Sequence, residues 1–125
     1  MPISSYRELK VWQAGMKLTA EVYDLAKNLP QYELYGMSSQ IRRAAVSIPA
    51  NIAEGHARDS TKEFLHHLSI ARGSLAELET LLMLAEQMKY CQPSESAGML
   101  NQCDQLSRML SALRRRLKAR IGEDR

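Results

Sequence analysis

The positive charge of this chain is concentrated in its last segment, where it could bind phosphate. The net charge is +3, and residues 93–125 account for all of it, with seven Lys and Arg against four Asp and Glu. Six of these cations are the candidates for nucleic-acid contact: Arg108, Arg114, Arg115, Arg116, Lys118 and Arg120. Clustered cations bind a phosphate backbone with an affinity that falls steeply as salt rises. Since no aromatic residue lies among them to stack on a base, we expect contact without sequence readout. The alternative is a solvated helix end whose cations suit the negative end of the helix dipole.

A second set of polar residues interrupts an apolar pattern in the middle of the chain. Gln40, Ser47 and Glu54 recur every seven residues and form one polar line, and Asn51 falls within the adjacent apolar face. The full candidate network or interface comprises Gln40, Arg43, Ser47, Asn51, Glu54, Ser69, Arg72, Ser74 and Glu77. Its functional interpretation is a binding groove or a seam between subunits. The structural alternatives are a polar network that fixes helix register, or a solvated edge.

The expected hairpin between the second and third segments sets the pairing within this network. Counting outward from residues 56–59 places Ser47 opposite Ser69, and Ala44 opposite Arg72. Glu77 lies among apolar residues, and a carboxylate is costly to bury unpaired. We therefore expect Arg43, one turn from the facing position, to pair with Glu77.

Residues that could hold a metal or perform catalysis are sparse. Glu63 and His66 have the Glu-x-x-His spacing of di-iron bundles, but such sites need two such pairs and further carboxylates. Cys91 and Cys103 make neither a zinc motif nor a disulfide framework. No phosphate loop, nucleophile elbow or catalytic triad is visible. These observations predict no cofactor and no enzymatic activity, with a metal-dependent enzyme as the weakest alternative.

Four amphipathic segments must position all of these residues. Apolar residues at helical spacing predict helices at about residues 5–28, 38–54, 60–89 and 93–121, and no strand pattern is present. Short connections make neighbours antiparallel, so the fold class is all-α, an up-down-up-down four-helix bundle in one domain, residues 1–125. Pro49 predicts a kink in the second helix and Gly55 its end. No signal peptide or membrane span is evident, so we expect a cytoplasmic protein without a membrane partner.

The first segment is apolar over a wider arc than one bundle needs. A central stripe is flanked by a second apolar line, and together they cover about 160°, against about 100° for an ordinary surface helix. The stripe is Leu9, Trp12, Met16, Thr19, Tyr23 and Ala26; the flank is Val11, Leu18, Val22, Leu25 and Leu29. The excess predicts that copies of the chain associate, with the Val11–Leu25 flank covered in the native assembly.

Three stretches also resemble one bacterial family. They are QIRRAAVSIPANIAEG at residues 40–55, Phe64 together with LSIARGSLAELE at residues 68–79, and LKVW at residues 9–12. They resemble the four-helix-bundle proteins first noticed in intervening sequences of 23S ribosomal RNA genes. The resemblance covers about residues 6–117. It implies an up-down bundle that assembles as a ring, a homopentamer, and it implies no enzymatic activity.

The resemblance also implies kinship with the accessory variability protein of diversity-generating retroelements. That relative resembles a basic barrel that engages nucleic acid and a reverse transcriptase. The sequence is therefore interpreted as a non-enzymatic homo-oligomeric scaffold that contacts RNA or DNA through its basic last helix. Its expected partners are copies of itself, nucleic acid and a nucleic-acid enzyme. The alternative is a structural or protein-binding bundle with no nucleic-acid role.

Overall fold

Four helices make up most of the protein, as seen in a computed structural model that describes residues 5–123. They are α1 (Lys10–Ala26), α2 (Met37–Ala57), α3 (Thr61–Gln87) and α4 (Pro93–Glu123), with short 3-10 turns at Tyr6–Glu8 and Gln31–Glu33. Within the described residues there is no strand. Each helix packs on its two neighbours in the order α1–α2–α3–α4–α1, and the backbones of diagonal helices are not in close contact. The predicted all-α four-helix bundle is confirmed.

The first helix starts later than the sequence pattern predicted. Residues Tyr6–Glu8 form a 3-10 turn capped by Ser5, whose Oγ accepts a hydrogen bond from the Arg7 amide at 3.2 Å. Leu9 then adopts an extended conformation with φ −73° and ψ 126°, so the α-helix begins at Lys10. The side chain of Leu9 is buried, and its burial stabilises this extended residue between the 3-10 turn and α1.

The core of α1 is the line that the sequence analysis treated as the flank. Val11, Leu18, Val22 and Leu25 are buried inside the single chain, whereas Met16 is 47% exposed. The expectation that this flank is covered is therefore met within the single chain. The association of copies stays a prediction. Periodicity shows which residues share a face of a helix, but it does not show which of two apolar faces points inward.

The other three helices bury apolar residues that recur at helical spacing. The buried positions are Ile41, Ala44, Ala45, Ile48 and Ile52 in α2; Phe64, Leu68, Ala71, Leu75, Leu78, Leu82 and Ala85 in α3; and Cys103, Leu106, Leu110, Leu113 and Leu117 in α4. A side-chain cap starts α3, since the Glu63 amide donates to Ser60 Oγ at 3.3 Å. Together these side chains form one continuous core.

Gly55 does not end α2 as predicted. The helix continues to Ala57, and none of the described glycines has a positive φ. A Cβ on Gly55 would lie only 2.6 Å from Cβ of His67 on α3. Gly55 therefore allows α2 and α3 to pack closely, and it does not supply a left-handed residue that ends the helix.

Candidate functional site

A chain of hydrogen-bonded side chains links α2 to α3. The Asn51 side-chain amide donates to the Ser47 carbonyl at 2.8 Å and to Ser47 Oγ at 3.0 Å. Ser74 Oγ on α3 donates to the same Ser47 Oγ at 2.8 Å. His67 Nδ1 lies 3.2 Å from Asn51 Oδ1. Because the Asn51 amide nitrogen faces Ser47, its oxygen is the acceptor, and His67 carries a proton on Nδ1.

The register of the α2–α3 hairpin differs from the predicted one. Ser47 faces Ser74, not Ser69, because α2 runs on to Ala57 and shifts the centre of the hairpin towards Ser60. Ser69 instead lies towards α4, where its Oγ accepts a hydrogen bond from Arg114 Nη2 at 3.3 Å. Arg72 is exposed and does not face buried Ala44 as expected. The predicted network therefore divides between two sides of α3.

A polar recess lies beside the Ser47–Ser74 contact, and we call it the α2–α3 recess. It has a volume of about 360 Å³ and is lined by Gln40, Arg43, Ala44, Ser47, Ser74 and Glu77. Arg43 and Glu77 are both exposed, and the ion pairs between described residues do not include one between them. The predicted pairing is thus wrong, because an exposed carboxylate is solvated by water and needs no partner.

Glu54 is engaged at the lower end of α2. Its carboxylate pairs with Arg58 at 3.1 Å and lies 4.0 Å from His67 Nδ1. Gln40, at the other end of the same polar line, is exposed at the recess. The polar line of α2 therefore has three parts. Glu54 forms an ion pair at one end, Ser47 takes part in the half-buried hydrogen bonds to α3 in the middle, and Gln40 is exposed at the other end.

Apolar side chains are exposed to solvent on two faces of the bundle. On α3, Ile70, Leu84 and Met88 are 38%, 40% and 49% exposed, on the side of the helix that also carries Glu77. On α1, Met16 and Tyr23 are exposed, and Tyr23 lines a shallow recess with residues of α2. Exposed apolar residues in sets of this kind mark candidate interaction surfaces.

The six predicted cations of α4 are not equivalent. Arg115, Arg116, Lys118 and Arg120 are exposed, and none forms an ion pair with another described residue. Arg108 pairs with Asp104, one turn earlier. Arg114 is half-buried: one nitrogen donates to Ser69, while its Nε is buried without a partner among the described atoms.

Lys10 joins this basic surface from the other end of the chain. It lines a common groove with Arg115 and Arg116, so the cationic region spans α1 and α4. Sequence reasoning missed it because Lys10 is far from α4 along the chain. A signal for it was the position of Lys10 in the first turn of α1, where a cation does not suit the helix dipole.

The titratable residues do not assemble into a reactive site in the described part of the chain. No group of three or more His, Cys, Asp or Glu side chains there could hold a metal ion. Burial, with Glu79 nearby, raises the pKa of the Cys103 thiol to about 12. Burial and the Glu95 and Glu86 carboxylates also raise the pKa of Cys91. A thiol with a raised pKa is a weak nucleophile at neutral pH.

Within the described residues, every helix is too polar or too short to cross a lipid bilayer.

An all-helical chain of this topology, with one polar seam and one basic end, is a four-helix-bundle protein. The sequence profile of the 23S rRNA-intervening sequence proteins matches residues 7–112, and the chain belongs to that family. Its backbone is similar to the crystal structure of a protein of unknown function from the S23 ribosomal protein family of Bacteroides thetaiotaomicron. The TM-score is 0.77 at 26% identity, over 82% of this chain and 96% of that chain. No curated protein matches the sequence significantly.

Proposed function

We propose that this protein is a non-enzymatic scaffold that assembles with copies of itself and contacts RNA or DNA through the exposed cations of α4. The observation that carries the assembly is the apolar surface left in solvent on α1 and α3. Met16 and Tyr23 lie on one helix, and Ile70, Leu84 and Met88 on the other. Burying such surface between subunits contributes about 25 cal/mol per Å².

The position of the two faces favours a ring. α1 and α3 are diagonal in the bundle with α2 between them, so their exposed apolar residues form two separate surfaces. A contact between two different faces is head-to-tail, and it closes into a ring when the rotation permits. Five subunits is the number that the family resemblance implied, and it forms part of this proposal.

The assembly is tested by light scattering after gel filtration at micromolar concentration. We expect the native chain to elute as a closed oligomer and the Leu84→Glu/Met88→Glu double variant to elute as smaller species. Met83→Glu is the matched control, because Met83 is equally exposed but points about 100° away from Leu84 around α3. A monomeric native chain would refute the assembly.

Nucleic-acid contact is supported by four exposed cations that form no ion pair with another described residue. Arg115, Arg116, Lys118 and Arg120 are exposed on the last turns of α4. Each such cation that meets a phosphate displaces a counterion. In a ring the same patch would recur on every subunit, so contacts that are weak individually would add through avidity.

The nucleic-acid contact is tested by measuring the affinity for single-stranded RNA and duplex DNA as a function of salt. Arg115→Glu/Arg116→Glu should weaken binding equally for all sequences and reduce the salt slope by about one for each lost contact. The control is Lys17→Glu/Lys27→Glu, which changes the net charge equally at two exposed positions, one in α1 and one just after its end. Equal losses in the two variants would mean that net charge, not the α4 surface, governs binding.

A second candidate function is a structural or protein-binding bundle without a nucleic-acid role. The α2–α3 recess favours it, since Arg43 and Glu77 offer opposite charges that do not pair with each other. A protein partner, including a nucleic-acid enzyme, would meet both charges there. Failure of the native protein to retain any RNA or DNA on a filter at low salt favours this candidate over the first.

A further inference from the structure

A groove with an apolar floor and a basic rim runs between the start of α1 and the second half of α4, and we call it the basal groove. Its volume is about 640 Å³. The floor is formed by Leu9, Val11, Met109, Ala112 and Leu113, and the rim by Glu8, Lys10, Arg115 and Arg116. A volume of this order lies within the range of roughly 300–1,000 Å³ that is usual for small-molecule sites.

The groove exists because the described residues before α1 pack beside α2. The 3-10 turn Tyr6–Glu8 lies against α1 and α2, and its backbone does not approach that of α4. The extended conformation of Leu9 sets this direction and starts α1 only at Lys10. The described residues before α1 therefore leave one edge of the apolar side of α4, at Met109, Ala112 and Leu113, open to the groove.

The rim carries an excess of positive charge. Lys10, Arg115 and Arg116 face one carboxylate, Glu8, and neither arginine forms an ion pair with another described residue. The first turn of α1 also opens at this rim. It has no acidic residue, and Leu9 supplies no capping side chain, so the helix adds the positive end of its dipole.

We propose that the basal groove binds a free anionic amphiphile, a medium-length alkyl carboxylate. Its chain lies on the Leu9–Leu113 floor, and its head group is held by Lys10 and the two arginine guanidinium groups. A nucleic acid uses the cations but leaves the apolar floor unoccupied. Arginine is suited to this role, because its planar fork donates two parallel hydrogen bonds to one carboxylate. This inference goes beyond the proposed function and does not depend on it.

Calorimetric titration of the full-length protein with decanoate, below the concentration at which it forms micelles, tests the proposal. We expect saturable binding of one decanoate per chain and no binding of decanamide, the neutral analogue. Arg115→Gln/Arg116→Gln should weaken decanoate binding about tenfold or more, as expected when charge-assisted hydrogen bonds are lost. Binding of decanamide as strongly as decanoate would overturn the assignment of the head-group site.

A second variant fills the floor without removing a charge. Ala112→Trp places an indole in the basal groove and should abolish decanoate binding while leaving all the rim cations in place. Ala97→Trp is the matched control on an exposed position of the same helix outside the groove, and it should bind decanoate normally. Equal affinity in the two variants would refute the location of the site.

The same variants separate this proposal from the proposed function. Ala112→Trp retains the cations of α4, so its affinity for RNA should be unchanged when decanoate binding is lost. Association with vesicles of anionic lipid without binding of free decanoate would mean that the groove contacts a membrane surface, and it would overturn the proposal. Binding of neither decanoate nor vesicles would overturn it as well.

Discussion

The hydroxyl of Thr19 lies 3.1 Å from the carbonyl oxygen of Ala45, the carbonyl that Pro49 leaves without a helical donor. Proline has no N–H, so a proline within a helix removes the hydrogen bond to the residue four positions earlier. Thr19 on α1 supplies the missing donor from outside α2. Its single proton is shared, because the Gly15 carbonyl lies 2.7 Å from the same oxygen. A proline in the middle of α2 is thus accommodated by the neighbouring helix.

Replacement of Thr19 should therefore destabilise the fold through Ala45. Thr19→Val keeps the shape but removes the donor, and we expect a loss of about 1–2 kcal/mol in the free energy of unfolding, as for a buried carbonyl left unpaired. Urea denaturation followed by circular dichroism measures it, at matched protein concentration. Thr19→Ser, which keeps the hydroxyl, is the control and should lose less.

A double-mutant cycle with Pro49 tests the cause. Pro49→Ala restores an N–H to α2, so Ala45 regains its own helical donor and Thr19 becomes dispensable. The loss caused by Thr19→Val should then be smaller in the Pro49→Ala background, by about 0.5 kcal/mol or more. Purely additive losses would contradict the compensation between the two helices.

Gly55 should be far less tolerant of a side chain than Gly15. A Cβ at Gly55 would lie 2.6 Å from the His67 Cβ, and one at Gly15 would lie 3.5 Å from its nearest neighbours on α2. Alanine favours a helix over glycine by about 1 kcal/mol, so Gly15→Ala should be neutral or stabilising. Gly55→Ala should destabilise by about 1–3 kcal/mol, because the two helices must move apart. Thermal denaturation of both variants tests this difference. An unchanged midpoint for Gly55→Ala would mean that α2 and α3 can move apart without loss of stability, and it would contradict the prediction.

Much of the fold could be predicted from the spacing of apolar residues. In α4 the buried leucines follow the one continuous apolar stripe of that helix, and in α3 they follow the longer of two apolar lines. α1 has two apolar lines of similar length. Which of them faces the core depends on the packing of Gly15 against Pro49, a contact between distant parts of the chain. Local patterns carry no information on such a contact.

The candidate site was less predictable for the same reason. Counting from the hairpin placed Ser47 one turn or more from its true partner Ser74, because two further residues of α2 after Gly55 shift the whole register. The basic end of α4 could be predicted from composition alone. The contribution of Lys10 could not, since it depends on how the turn before α1 folds.

Lys89 offers a route to a more stable protein. It is the only non-glycine residue with a positive φ among those described, at 62°. It lies just after α3, where its amide donates to the Glu86 carbonyl and the Tyr90 amide donates to Ala85, the Schellman arrangement that favours glycine. Lys89→Gly should therefore stabilise the fold by about 1 kcal/mol. Lys89→Ala separates this effect from the loss of charge, since alanine also resists positive φ and should bring no gain in the denaturation midpoint.

The two thiols should differ sharply in reactivity. Cys103 is fully buried and its pKa is raised to about 12, whereas Cys91 is partly exposed with a pKa raised to a lesser degree. At pH 8 a thiol-reactive dye should modify Cys91 first and Cys103 at least roughly a hundredfold more slowly, because Cys103 reacts only when the fold opens. The Cys91→Ala variant isolates the slow thiol. Comparable labelling rates for the two native thiols would contradict the burial of Cys103 in solution.

The Cys103 thiol also makes stability depend on alkaline pH. The folded pKa of Cys103 exceeds its ordinary value of 9.0, so its contribution to stability is complete below about pH 9 and is lost as the pH rises towards 12. Cys103→Ala should remove that part of the loss of stability at alkaline pH.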